Sequence, residues 1–151
     1  VASQSTNLIT FEKLYYTLRQ ATVKDIEILD RIHAENMKGY VEQVYPWNPT
    51  LFRDSFSSQD YQIIELRNFP IGFIKVVVTT EIYLAEIQID RHYQNQGIGT
   101  SLIASIIKRS QLNNQKLWLK VLKVNPAERL YERLGFNVFE ETSTHKMMRL
   151  N

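Results

Sequence analysis

The chain has 151 residues, 44% hydrophobic and 23% charged, the make-up of one folded domain able to bury roughly two-thirds of its unfolded surface. A net charge of +2, with lysines and arginines scattered, offers no basic patch for nucleic acid. The absence of cysteine removes disulfides, thiolate metal sites and a cysteine nucleophile together and suits a cytoplasmic protein; no apolar run nears the ~20 residues of a membrane span, and no signal-peptide pattern opens the sequence.

Residues 1–7 are small and polar and read as a loose tail, native or appended, ahead of a single domain over 8–151. Lys13–Gln20 suits a first strand, because Tyr15 and Tyr16 favour extended backbone. Thr22 and Asp25 mark a helix start, and Ile26, Leu29 and Ile32 give that helix a buried stripe. Its aromatic and charged continuation is punctuated by Pro46 and Pro49, and a short helix through Leu51, Phe52 and Phe56 follows. Strands are expected over Tyr61–Leu66 and Ile71–Thr79, joined by a turn at Arg67-Asn68, with Gly72 marking a bulge or a close approach.

The next segment is the most informative. Residues 82–90 alternate, with Tyr83, Ala85, Ile87 and Ile89 apolar and Glu86 and Gln88 facing the other way. Residues 98–112 carry Ile98, Leu102, Ile103, Ile106 and Ile107 on one helical stripe. Between them stands Gln94-Asn95-Gln96-Gly97-Ile98-Gly99, where the glycines let backbone approach a ligand and the helix start presents free N–H groups to an anion. An ordinary tight turn accounts for two glycines equally well. The spacing is neither G-x-x-x-x-G-K-[ST] nor G-x-G-x-x-G. Further strands are expected at Leu117–Leu122, Phe136–Glu140 and Thr144–Leu150, with a short helix over Pro126–Leu134 closed by Gly135. The class is α/β (α+β) around one mixed sheet, in the order β-α-α-β-β-β-α-β-α-β-β.

The strand followed by Q-x-x-G-x-G resembles the acetyl-CoA-binding motif of the GNAT N-acetyltransferase superfamily. A second block, LWLKVLKVNPAERLYERLGFNVF, is similar to that family's in placing Asn125, Ala127, Tyr131, Gly135 and Phe136 in order. The element order is also that of the family, so the resemblance spans nearly the whole chain. It implies a mostly antiparallel sheet of six to seven strands flanked by about four helices. It further implies that backbone at Ile87, Gln88 and Ile89 meets the pantetheine arm. Gln94, Asn95, Gln96, Gly97, Ile98, Gly99 and Thr100 would then hold the pyrophosphate, with Asn125, Ala127 and Tyr131 bordering the same donor. Two departures stand out: Arg91 where relatives carry proline, and a short step from Asn125 to Ala127.

The implied activity is acetyl transfer from acetyl-CoA, without a metal, to a primary amine of a small molecule or peptide. With no cysteine, the amine would attack directly in a ternary complex. On spacing alone Tyr131 suits a core position beside Leu130 and Leu134 better; the resemblance implies instead that it aims its hydroxyl, as a general acid, at the departing sulfur. Glu86 is the first candidate base and Glu42 the second, although Glu86 could equally pair with Lys75. Tyr40, Tyr45 and Trp47 either enclose the acceptor or pack the first helices on the sheet. Lys120 stands where members that acetylate protein amino termini often carry a glutamate, which argues against a ribosomal-protein type of acceptor. His33, His92 and His145 are scattered, with no metal-ligand spacing. Rival readings are a non-catalytic acyl-CoA-binding sensor and a protein lysine or N-terminal acetyltransferase. A homodimer is compatible with the resemblance, since relatives often dimerise.

Overall fold

The structure, a computed structural model, describes residues 15–150. Seven strands form one sheet: β1 (Tyr16–Gln20), β2 (Gln62–Leu66), β3 (Phe69–Val78), β4 (Ile82–Ile89), β5 (Leu117–Leu122), β6 (Phe136–Glu141) and β7 (His145–Leu150). Their order is β1-β2-β3-β4-β5-β7-β6, and every neighbouring pair is antiparallel except β4 and β5. Among the described residues four α-helices complete the fold: α1 (Ile26–Val41), α2 (Leu51–Ser55), α3 (Ile98–Leu112) and α4 (Glu128–Arg133). The one parallel pair follows from the chain path, since α3 is the crossover that a parallel connection needs. No helix among the described residues is long and apolar enough to cross a membrane.

The expected tail over 1–7 and the first residues of the expected strand lie outside the described residues. Elsewhere the element ends move by a residue or two, as frayed termini do. Thr22 opens a short 3-10 turn rather than α1 itself: the Asp25 carboxylate accepts the Thr22 N–H at 2.8 Å and Arg19 grips the same carboxylate with two nitrogens. Arg67 and Asn68 both adopt positive φ, the backbone that a tight two-residue hairpin requires.

The sheet divides two cores. On one face Ile74, Ile82, Leu84, Leu119, Phe136 and Met148 pack with Ile98, Leu102, Ile103 and Ile106 of α3 and the apolar side of α4. On the other, Ile63, Phe73 and Tyr61 pack with Leu29 and Ile32 of α1 and with Phe52 of α2.

Strand β4 does not alternate as its sequence suggests. Glu86 pairs with Lys75 while Leu84 pairs with Val76, so Ala85 is an extra, bulged residue. The bulge changes the phase: Ile82 and Leu84 before it and Ile87 and Ile89 after it all join the α3 core. Tyr83 leaves that set and stacks on Trp118 with ring centroids 4.2 Å apart. The reading that grouped Tyr83 with Ile87 and Ile89 is therefore corrected; a period of two holds only where no residue is inserted.

Candidate active site

Strands β4 and β5 pair only through Ile82–Leu117, Tyr83–Trp118 and Leu84–Leu119. Beyond the bulge they part, and Glu86 to Ile89 remain paired on the β3 side alone. A gap thus opens in the middle of the sheet, directly before the glycine turn. Gly72 belongs to the same geometry, because a Cβ there would collide with the Gln88 carbonyl oxygen across the β3–β4 pair.

The turn itself is built for approach to backbone. Asn95 and Gly97 take left-handed backbone, with φ of 61° and 84°, and Gly97 is the N-cap of α3. Ser101 donates to the Gly97 carbonyl at 3.0 Å, so the N–H groups of Ile98, Gly99 and Thr100 precede the first helical bond and have no partner within the helix. No heavy atom lies within 4 Å of where a Gly97 side chain would begin, whereas a Cβ on Gly99 would meet Ile89 Cδ1 at 3.3 Å. The concavity is open, lined by amides and set at the positive end of a helix, which suits an anion such as a pyrophosphate.

Not every predicted residue of the turn is available. Gln94 Nε2 donates to the Ile89 carbonyl at 2.8 Å and so braces the turn against β4. Asn36 of α1 donates to the same carbonyl at 2.9 Å and to Gln88 Oε1 at 3.0 Å, a residue that sequence reading did not single out. Ile98 is buried and offers only its amide, while Asn95, Gln96 and Thr100 are exposed. Behind them Asp90, 6% exposed, holds the His92 N–H at 3.0 Å and Arg31 of α1 at 3.1 Å. Burial works against its charge, but these donors hold the Asp90 carboxyl below its usual range.

Across the gap, α4 carries Tyr131. Its ring meets Phe136 edge-on at 6.0 Å, and its hydroxyl makes no hydrogen bond among the described residues. Burial, with the charge of Glu86 adding to it, pushes the phenol up to about 12. Asn125 Oδ1 accepts the Ala127 N–H at 2.9 Å, which starts α4 and fixes where Tyr131 lies. That bond occupies one lone pair of the Asn125 amide oxygen and leaves the amide nitrogen free to donate, and Ala127 contributes a methyl packed against the core.

Glu86 lies on the α1 side of the gap. It accepts Gln88 Nε2 at 2.7 Å, and no ion pair joins it to Lys75, whose Nζ instead sits 5.5 Å from the Tyr61 ring centroid. Its charge raises Tyr61, Tyr83 and Tyr131 and opposes the lowering of His33 by burial. The carboxylate is therefore felt on both faces of the sheet. Glu42 pairs with Lys38 one helical turn away, at 3.7 Å. Tyr45 and Trp47 line one open concavity with Glu42, while Trp47 also stacks on His33 at 5.8 Å and the Tyr45 hydroxyl reaches Thr144 at 2.9 Å. His33 also stacks on Phe52, and its Nδ1 is buried with no partner. Among the described residues no group of three His, Cys, Asp or Glu side chains could hold a metal ion.

Comparison with known proteins agrees with this geometry. The chain is 29% identical to the [ribosomal protein bS18]-alanine N-acetyltransferase of Escherichia coli K12 over 120 residues, 77% of this chain and 80% of that one. Its fold matches the PaiA N-acetyltransferase of Thermoplasma acidophilum, solved with coenzyme A, at a TM-score of 0.74 and 17% identity, covering 91% of this chain and 99% of the other. The ribosomal-protein-S18-alanine N-acetyltransferase of Escherichia coli superposes with a TM-score of 0.61 at 25% identity, covering 90% and 93%. Residues 57–138, more than half of the chain, match the model described as an acetyltransferase (GNAT) domain, and the chain belongs to that acyltransferase family.

Proposed function

We propose that the protein moves an acetyl group from acetyl-CoA to a primary amine, which attacks directly in a ternary complex. The observation that carries this reading is the gap between β4 and β5, flanked by the amide-lined turn at Gly97 on one side and the unbonded Tyr131 hydroxyl on the other. The turn would take the pyrophosphate and the free edge of Glu86 to Ile89 the pantetheine arm. Strand amides there would polarise the thioester oxygen. In the transfer a nitrogen–carbon bond forms, the carbon–sulfur bond breaks, and the amine proton leaves through Glu86 to solvent.

A phenol held at about 12 does not hand its proton outright to a thiolate whose acid lies near ~8.5. Tyr131 therefore donates a hydrogen bond to the departing sulfur, which takes its proton from solvent. Glu86 has the larger task for an alkylamine, since neutralising one at pH 7 costs about 4–5 kcal/mol, against about 1–1.5 for an α-amine. Similarity to an alanine N-acetyltransferase over 77% of the chain favours, as a second and narrower reading, an α-amine on a protein.

Calorimetric titration with acetyl-CoA, followed by a thiol-release screen over amino acids, polyamines, aminoglycosides and peptides, tests the proposal. Binding with turnover supports the enzyme. Binding with none across every acceptor class supports a non-catalytic sensor, and no binding overturns the assignment of the turn.

A further inference from the structure

On the α1 side of β5, β7 and β6 the described residues leave a cavity of about 330 Å³. Trp118 and Phe139 supply its apolar walls, and Lys116, Lys120 and Arg149 line it together with Met147, Glu81 and Glu140. Trp118 meets Phe139 edge-on at 6.5 Å, Lys120 Nζ sits 5.9 Å from the Trp118 ring centroid, and the Arg149 guanidinium 4.8 Å from that of Phe139. None of the three cations forms an ion pair among the described residues.

The position of Lys120 relative to the gap is fixed by register. Tyr83 pairs and stacks with Trp118, and strands alternate, so Lys120 shares the Trp118 face just past the last β4–β5 pair. Glu86 occupies the same face of β4. The two walls of the gap therefore carry opposite charges, a carboxylate on β4 and an ammonium on β5. Two other carboxylates line the cavity. Glu81 is beside Lys116 at the start of the strands, where Ile82 donates to the Lys116 carbonyl, and Glu140 lies two strands away, across Met147.

We propose that the acceptor carries an anionic group beside its reacting amine, and that Lys120, backed by Arg149, receives that group while Glu86 receives the amine. The inference rests on the acetyl-transfer reading and narrows it. A carboxylate opposite an unpaired ammonium gains a charge-assisted hydrogen bond, whereas a cationic tail would be repelled where the cavity meets the gap. An α-amino acid and a peptide whose second residue is acidic both present this chemistry. The aromatic walls accommodate an apolar part of either.

The test compares free amino acids with their amides, and peptides with Asp or Lys at the second position, on the wild type, Lys120→Gln and Lys120→Glu. The anionic member of each pair is expected to have kcat/KM about tenfold higher, through KM. Lys120→Gln should abolish that preference, Lys120→Glu should reverse it, and acetyl-CoA affinity should stay unchanged in both. Which pair responds separates a free amino acid from a peptide. Preference for the neutral or cationic member, or a preference indifferent to both variants, overturns the proposal. Binding of the same acceptors to the protein saturated with CoA is measured alongside. Charge-selective binding lost in Lys120→Gln, but without acetyl transfer, would sustain this inference and sink the enzymatic reading alone.

Discussion

Tyr131 and Gly97 are single residues whose surroundings dictate what a substitution does. The Tyr131 phenol is half-buried, makes no hydrogen bond among the described residues and is pushed up to about 12, so the contribution proposed for it is one hydrogen bond to a developing thiolate. Hydrogen bonds to charged groups are worth about 1.5–3 kcal/mol, and Tyr131→Phe should therefore lower kcat roughly ten- to hundredfold. Acetyl-CoA affinity should remain within about twofold. Steady-state kinetics beside calorimetry checks both halves, and an unchanged kcat would remove Tyr131 from the mechanism. Gly97 has open space around it, so the difficulty for Gly97→Val is conformational first, since φ is 84°. Left-handed backbone costs an L-residue roughly 1–2 kcal/mol, more when it is β-branched, and the new methyls would stand over the amide cradle. Acetyl-CoA binding should fall at least about tenfold while the fold survives in circular dichroism. Normal binding in that variant would show that the turn does not hold the donor.

At the scale of elements, two buried aspartates dock α1 onto the rest of the site. Asp25, 7% exposed, ties Arg19 of β1 to the start of α1, and Asp90 ties the glycine turn to Arg31 in its second turn. Donors hold both carboxyls below their ordinary value of 3.8: Arg19 first for Asp25, and for Asp90 the His92 and Arg31 groups that outweigh burial. A carboxyl whose folded pKa is depressed contributes stability that is complete above its unfolded value and lost as pH falls through the folded one. Urea midpoints should therefore fall below about pH 4, and Asp90→Asn should flatten that fall; an equally steep acid limb in the variant would deny Asp90 this part. This docking was not legible in the sequence. The bounds of α3 and β5 were, because Ile98, Leu102, Ile103 and Ile106 repeat at 3.6 residues and Asn113-Asn114 stops the helix. The bulge at Ala85 was hidden, since an inserted residue shows only against its β3 partner. Asn36 carried no signal, since a polar residue on an amphipathic helix reads as solvent-facing until β4 is packed beside it. Glu86 was legible as a candidate by position and Tyr131 only through the family resemblance, and their common electrostatic neighbourhood needed the structure.

For the whole molecule, the sheet is a partition with one opening, and the titration of its tyrosines reports on both sides. Tyr61 lies in the core with α1 and α2, Tyr131 in the core with α3 and α4, and each phenol is pushed up to about 12, by burial first and then by Glu86. Glu86 stands where β4 has left β5 and still pairs with β3. A phenol whose folded pKa exceeds its unfolded value of 10.0 contributes stability that is complete below that pH and lost as pH rises toward 12. Urea unfolding across this alkaline range should show the midpoint falling, with Tyr61→Phe and Tyr131→Phe each removing part of the dependence. Glu86→Gln separates the two causes, because it removes charge while leaving burial in place. Phenolate absorbance of the folded protein should then shift to lower pH for both tyrosines, each read as the component of the titration that its own Phe variant removes. A shift in Tyr61 alone would place Glu86 on the α1 side only, out of reach of the leaving sulfur. A shift in both would place the Glu86 charge within reach of both faces, as its proposed role as the base for the amine requires.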